Sequence, residues 1–231
     1  MRRTLIAAFA IALCSCSEDP TSPPFVENFD ISICLPSAPG LSANVTNQFF
    51  PLPVGSQLIL EGDDEGVTSR LVITVLAATE TVAGVATRVM EERHTEDGVL
   101  IEVSRNFFVQ AADGSVCYFG EDVDMYQGGV IVSHDGAWRA GVDGAIPGVF
   151  MPASPAVGMA FRQEVAPGVA EDRVVITAVG ESVTVPAGTF GNTVEFGETT
   201  PLEPGVLSTK VYAGGVGMIV DDVQELLSRT P

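Results

Sequence analysis

The chain has 231 residues, a formal charge of −19 and 46% hydrophobic residues, with 24 Gly, 15 Pro and a charged fraction of only 18%. A chain of this size can bury a sizeable core, and its apolar content excludes intrinsic disorder. The acid excess repels phosphate backbones and anionic headgroups, which excludes nucleic acid as a partner and leaves polycations, divalent cations and plain solubility open.

The N-terminus is basic, Met1-Arg2-Arg3, and Leu5 to Leu13 is apolar throughout. Nine helical residues rise about 14 Å, less than half of a bilayer core. Residues 1–15 therefore read as a signal peptide and not as a membrane span. Losing Arg2 and Arg3 with it takes the formal charge from −19 to about −21. Leu13-Cys14-Ser15-Cys16 resembles the bacterial lipobox, with an aliphatic residue at −3 and a small residue just before the acceptor cysteine. Ser15 is small where Leu13 is bulky, so Cys16 is the expected acceptor and Cys14 is expected to leave with the leader; an ordinary secretory signal cut elsewhere, leaving two incidental cysteines, is the other reading. The resemblance implies a diacylglyceryl thioether on Cys16, usually with an N-acyl chain, and several chains make anchoring durable. It places the protein in the cell envelope with the membrane as a partner, and at the outer membrane if the source is Gram-negative, because Ser17 and not Asp follows. Residues 16–30 carry Pro20, Pro23 and Pro24 and read as a flexible, extended tether, the dozen after Cys16 reaching roughly 35 Å at about 3.1 Å each.

Removing the leader and acylating Cys16 leaves Cys34 and Cys117. An even pair in an oxidising compartment invites a disulfide, and buried free thiols are the other reading. Closing a loop of about 80 residues stabilises by up to about 4.5 kcal/mol on the chain-entropy account. Neither cysteine sits in a CxxC pair, so thiol-redox chemistry is not indicated.

Residues 31–231 read as one β domain made of two related units. "VITVLAATETVAG" from Val72 aligns with "VITAVGESVTVPAG" from Val175 at an offset of 103, and Gly55/Gly158, Glu61/Glu164 and Gly114/Gly217 share that offset. Three patches in one register point to a tandem duplication with units at about 46–119 and 149–221. Residues 120–148 join them. Expected strands are Gln57–Glu61, Leu71–Leu76, Thr87–Glu92, Leu100–Phe107 and Val116–Phe119 in the first unit. In the second they are Gly158–Glu164, Arg173–Val179, Ser182–Val185, Thr193–Phe196, Val206–Tyr212 and Gly217–Val220. All are β-branched or aromatic runs bounded by turn residues. Asp222–Arg229 alone reads as a short helix. No long helical crossover separates the strands, so the sheet should be antiparallel.

The block "YFGEDVDMYQGGVIVSHDGAWRAGVDGAIPGVFMPASPAVG", followed by "FRQEVAPGVAED", "VTVPAGTF" and "TTPLEPGV", resembles an uncharacterised family of secreted bacterial proteins and lipoproteins. The resemblance spans about residues 46–220 and implies no known activity. "VTVPAGTF" is also similar to an element of exported domains of unknown function shaped as curved antiparallel half-barrels, broadly like the lipoprotein-carrier folds LolA and LolB. The expected fold is accordingly all-β, a curved half-barrel of two tandem units, by an analogy of fold and not of function.

Chemistry is sparse. His94 and His134 have no zinc-ligand spacing and read as solvated loop histidines. Ser133-His134-Asp135 are consecutive and point to opposite faces of an extended chain, so they form no triad. Arg162 and Glu164 read as an ion-paired strand surface. Two acidic runs could supply calcium oxygens: Asp63 and Asp64 in "EGDDEG", and Asp113, Glu121, Asp122 and Asp124 in "DGSVCYFGEDVD". Neither has the EF-hand spacing, and solvated acidic turns account for them as well. Tyr118, Tyr126 and the single tryptophan, Trp138, could form an aromatic platform for sugars or apolar ligands, or pack the core between the two halves. No cofactor motif is present. The expectation is a non-catalytic envelope lipoprotein that binds an apolar, lipid-like ligand or a partner protein. A carboxylate-based hydrolase and a structural or adhesive module are the alternatives.

Overall fold

The computed structural model describes residues 25–231. The leader, Cys16 and the tether as far as residue 24 lie outside the described residues. No helix among the described residues is long and apolar enough to cross a membrane.

The first half is a meander of β1 (Gln57–Asp64), β2 (Val67–Val82), β3 (Val85–Glu96), β4 (Val99–Gln110) and β5 (Val116–Gln127). Short β6 (Val130–Ser133), β7 (Trp138–Arg139) and β8 (Ile146–Met151) pair back onto β5. The second half runs β9 (Ala160–Arg162), β10 (Glu164–Val165), β11 (Arg173–Val179), the hairpin β12 (Val183–Val185) and β13 (Gly188–Phe190), then β14 (Thr193–Thr199), β15 (Ser208–Ala213), β16 (Gly217–Asp221) and β17 (Gln224–Thr230).

The strands form one antiparallel sheet in the order β10-β8-β5-β4-β3-β2-β1-β17-β16-β15-β14-β11-β9. Each half contributes the same meander, β5 to β1 and then β16 to β9, and β17 splices them by pairing with both β1 and β16. The two ends of the sheet are made by one stretch of chain. β9 pairs with β11 at one end and β10 with β8 at the other, with only Gln163 between them. The expected curved sheet therefore curls past a half-barrel and nearly closes, which hides both long edges. Gly148 makes the seam possible, since a Cβ there would lie 2.3 Å from the Arg162 carbonyl oxygen.

Two expectations change. Asp222–Arg229 is not helical: β17 covers it, with Gln224 and Leu226 buried and Glu225 and Leu227 exposed. Its helix-forming residues yield to pairing with β1, as tertiary context commonly overrides propensity. The packed chain also begins before residue 31. Asn28 donates its backbone N–H to Ala160 O and accepts from Ala160 N, Glu27 pairs with Arg162 at 2.6 Å, and Phe29 meets Phe161 edge-on.

Cys34 ends a 3-10 turn, Ile31–Cys34, and is disulfide-bonded to Cys117 on β5. Both sulfurs are fully buried, so the bond pins the N-terminal segment to the outside of the first meander.

Candidate functional site

Because side chains alternate along a strand, the register assigns each residue to the inside or the outside of the barrel. Inside, one end is apolar. Leu58 stands opposite Ile73 across β1 and β2, and Val75 opposite Met90 across β2 and β3, and Met218 comes from β16. With Phe50, Leu52 and Val216 they line a cavity of about 390 Å³. This lies within the span of about 300–1,000 Å³ usual for small-molecule sites. The loop carrying Phe50 and Leu52 roofs the cavity, held by a bridge between Thr46 and Pro51 and by Leu52 N donating to Val45 O. Arg229 of β17 stands opposite Leu58 and reaches the rim.

The middle of the barrel is filled by rings. Phe108 stacks on Tyr118 at 5.0 Å, Phe150 lies 4.5 Å from Phe50 and 4.9 Å from Phe108, and Trp138 meets Tyr118 edge-on at 5.2 Å. Tyr118 and Trp138 are thus neighbours, as the platform reading required, but they are buried core rings and not an open surface. Tyr126 does not join them. It lies half-buried near the end of β5, beside a recess lined by Val99, Ile101 and Val132.

Next to this wall the interior turns polar and acidic: Glu92 stands opposite Ile73, and Asn106 opposite Met90. Glu92 lies opposite Ser104, and Glu121 opposite Asn106. Lys210, the only lysine in the chain, lies opposite Asp221 and puts its Nζ 3.1 Å from Glu198 Oε1 and 4.0 Å from Asp221 Oδ1. Tyr118 donates its hydroxyl to Asn106 Oδ1, and Asn106 Nδ2 donates to Ser104 Oγ at 3.2 Å. Gln224 Nε2 donates to Ser69 Oγ at 2.7 Å, and Ser69 meets His94 Nε2 at 2.9 Å. His94 is therefore a half-buried strand residue inside the barrel and not a solvated loop histidine.

Burial and mutual repulsion set the charge state here. Glu92 is raised to about 8 by burial first and then by Glu121 and Asp221. Glu121 is raised to about 7, again mainly by burial, which its contact with Ser104 only partly offsets. Asp172 is raised to about 6 by burial and by Glu198. Glu164 is fully buried and held well above the carboxylate range by burial and by Asp172, although Asp172 N donates to its Oε1 at 2.6 Å. It is not a surface partner of Arg162, whose guanidinium is taken by Glu27. Burial alone would depress Lys210, but Glu198 and Asp221 outweigh it and hold the ammonium firmly charged.

The six acids considered for calcium part company. Asp63 accepts from Gly66 N, and Asp64 is exposed at the end of β1. Asp113 accepts from both the N–H and the hydroxyl of Ser115. Asp122 pairs with Arg139 at 2.6 Å, and Asp124 with Arg105 at 3.3 Å and His134 at 3.1 Å, while Glu121 faces inward. Among the described residues, no group of three or more His, Cys, Asp or Glu could hold a metal ion.

Comparison with family models, curated proteins and solved structures returns no match to this chain. The interior itself therefore carries the functional argument. Sequence reasoning passed over Glu92, Lys210 and Arg229. The one available signal was the solitary lysine, set in "STKVYA" beside a run of apolar residues.

Proposed function

We propose that this protein is a cell-envelope lipoprotein, acylated on Cys16, whose barrel binds an apolar ligand without transforming it. The observation that carries the reading is the cavity of about 390 Å³ walled by Leu58, Ile73, Val75, Met90 and Met218. A cavity lined by such side chains loses contacts while empty and regains them from an apolar guest. The leader and its lipobox support the address. Native mass spectrometry of protein released gently from membranes tests both parts. The expected spectrum shows acyl mass on Cys16 and a noncovalent apolar guest. A chain with no acyl mass and no guest overturns the proposal.

The carboxylate-hydrolase reading has one observation in its favour, the inward carboxyl groups of Glu92 and Glu121 held near 8 and 7. Neither lines the cavity, so a substrate bound there would not touch them. Loss of a measured hydrolysis in Glu92→Gln or Glu121→Gln protein that still binds the apolar guest would favour this reading over the first.

A further inference from the structure

We infer that the guest is an amphipathic anion of the fatty-acid class, its hydrocarbon tail in the cavity and its carboxylate on Arg229. This rests on the cavity being a binding site, as proposed above. Arg229 is the one charged side chain lining the cavity among the described residues. Its register opposite Leu58 turns it toward the same face as the apolar wall, while its exposure at the rim leaves the head group in water.

Among the other described arginines, Arg70, Arg105, Arg139 and Arg162 pair with carboxylates at 2.6–3.3 Å, Arg93 lies 4.0 Å from Glu91, and Arg88 donates to the carbonyl oxygens of Ala43 and Leu76. Arg173 also lacks a carboxylate within 4.0 Å among the described residues and lies over the Phe25 ring, 5.4 Å from its centroid, but it does not line the cavity. Arg229 has no carboxylate within 4.0 Å among the described residues, in a chain with 30 acidic side chains. Its guanidinium instead lies over the Phe190 ring, 5.9 Å from the centroid. A ring offers no hydrogen-bond acceptor for the guanidinium's edge N–H groups, so those remain available to one. A planar fork of donors matches a carboxylate in two parallel hydrogen bonds, which an alcohol or an ammonium does not reproduce.

The acidic interior does not reverse this preference. Its carboxylates do not line the cavity, although Glu92 stands opposite Ile73 of the wall. Lys210 already supplies a cation to Glu198 and Asp221. A cationic head at the rim would face Arg229 and not the acids.

Titration calorimetry at pH 8 with monomeric dodecanoate, dodecanol and dodecylamine tests the assignment on the full chain. The tail is constant and only the head changes. Dodecanoate is expected to bind about tenfold tighter than dodecanol, the gain of one charge-assisted contact at a wet rim, and dodecylamine weakest. Arg229→Gln is expected to bring dodecanoate down to the level of dodecanol and leave dodecanol unchanged. Arg229→Lys, keeping charge without the fork, should fall between. Equal binding of all three, tightest binding of dodecylamine, or dodecanoate binding unchanged in Arg229→Gln overturns the head-group assignment while the cavity reading stands. Failure of all three to bind overturns the cavity reading along with it.

Discussion

Lys210 and Glu198 meet at 3.1 Å inside the barrel, two residues from adjacent strands that form an ion pair where most of the surrounding charge is negative. Both side chains are mostly shielded, at 23% and 11% exposure. Removing one partner of such a pair strands the other charge, which costs more than the pair itself contributes. Lys210→Met should lower the unfolding free energy by about 3 kcal/mol. Adding Glu198→Gln should restore part of the loss. A double-mutant cycle by urea denaturation measures the coupling, and additive effects would contradict a paired interior.

Stability should fall as pH rises from about 5 to 8. Glu92 and Glu121 bind protons in the folded barrel up to about 8 and about 7, whereas in the unfolded chain they release them near 4.5. The native state therefore holds more protons across that window, and linkage makes unfolding easier as they are withdrawn. The melting temperature should be higher at pH 5 than at pH 8, and Glu92→Gln should flatten that slope by raising the pH 8 value. A melting temperature that climbs from pH 5 to pH 8 would show that these carboxyl groups are ionised in the folded protein.

The Cys34–Cys117 bond joins residues 83 apart. A loop of that length restricts the unfolded chain strongly, so the double Cys→Ser variant should lose about 2–5 kcal/mol. Hydrogen exchange should quicken first in the segment around the 3-10 turn at Ile31–Cys34, which the bond ties to β5. Unchanged denaturation would mean that the bond does not form in the mature protein.

Gly148 faces the backbone at the seam. Ala there would place its Cβ 2.3 Å from Arg162 O and 2.6 Å from Gln163 O, and neither is the yielding end of a side chain. Gly148→Ala should cost about 1–3 kcal/mol and raise hydrogen exchange in β8, β9 and β10 above that in β1–β4. A uniform effect, or none, would contradict closure at this point.

Much of the fold is readable from the residues. β2 and β11 show their strands through alternating Val, Ile and Leu, and the offset of 103 aligns them before any coordinate is known. Setting aside Cys14 and Cys16 on the lipobox reading leaves Cys34 and Cys117 as the pair that could bond, and the structure bonds them. The acidic interior is hidden for a definite reason. On β3, Glu91 and Glu92 are both acidic, yet Glu91 lies outside against Arg105 at 3.3 Å and Glu92 points inward. A strand with charge on both faces loses the contrast that marks its inner side. The cavity is hidden because its walls come from β1–β3 and β16, more than a hundred residues apart, and only the splice through β17 brings them together. β17 was itself misread, since "QELL" carries helix formers whose strand state is decided by its neighbours.

Occupancy of the cavity by an apolar guest decides what this protein does. Methyl-resolved NMR, titrated with dodecanol so that no charged head contributes, reads this at the wall itself. Saturable shifts confined to Leu58, Ile73, Val75, Met90 and Met218, lost in Val75→Phe, are the predicted result. Shifts scattered over the exposed methyls of Val130, Ile131 and Val132 instead, or no saturation at all, would contradict it.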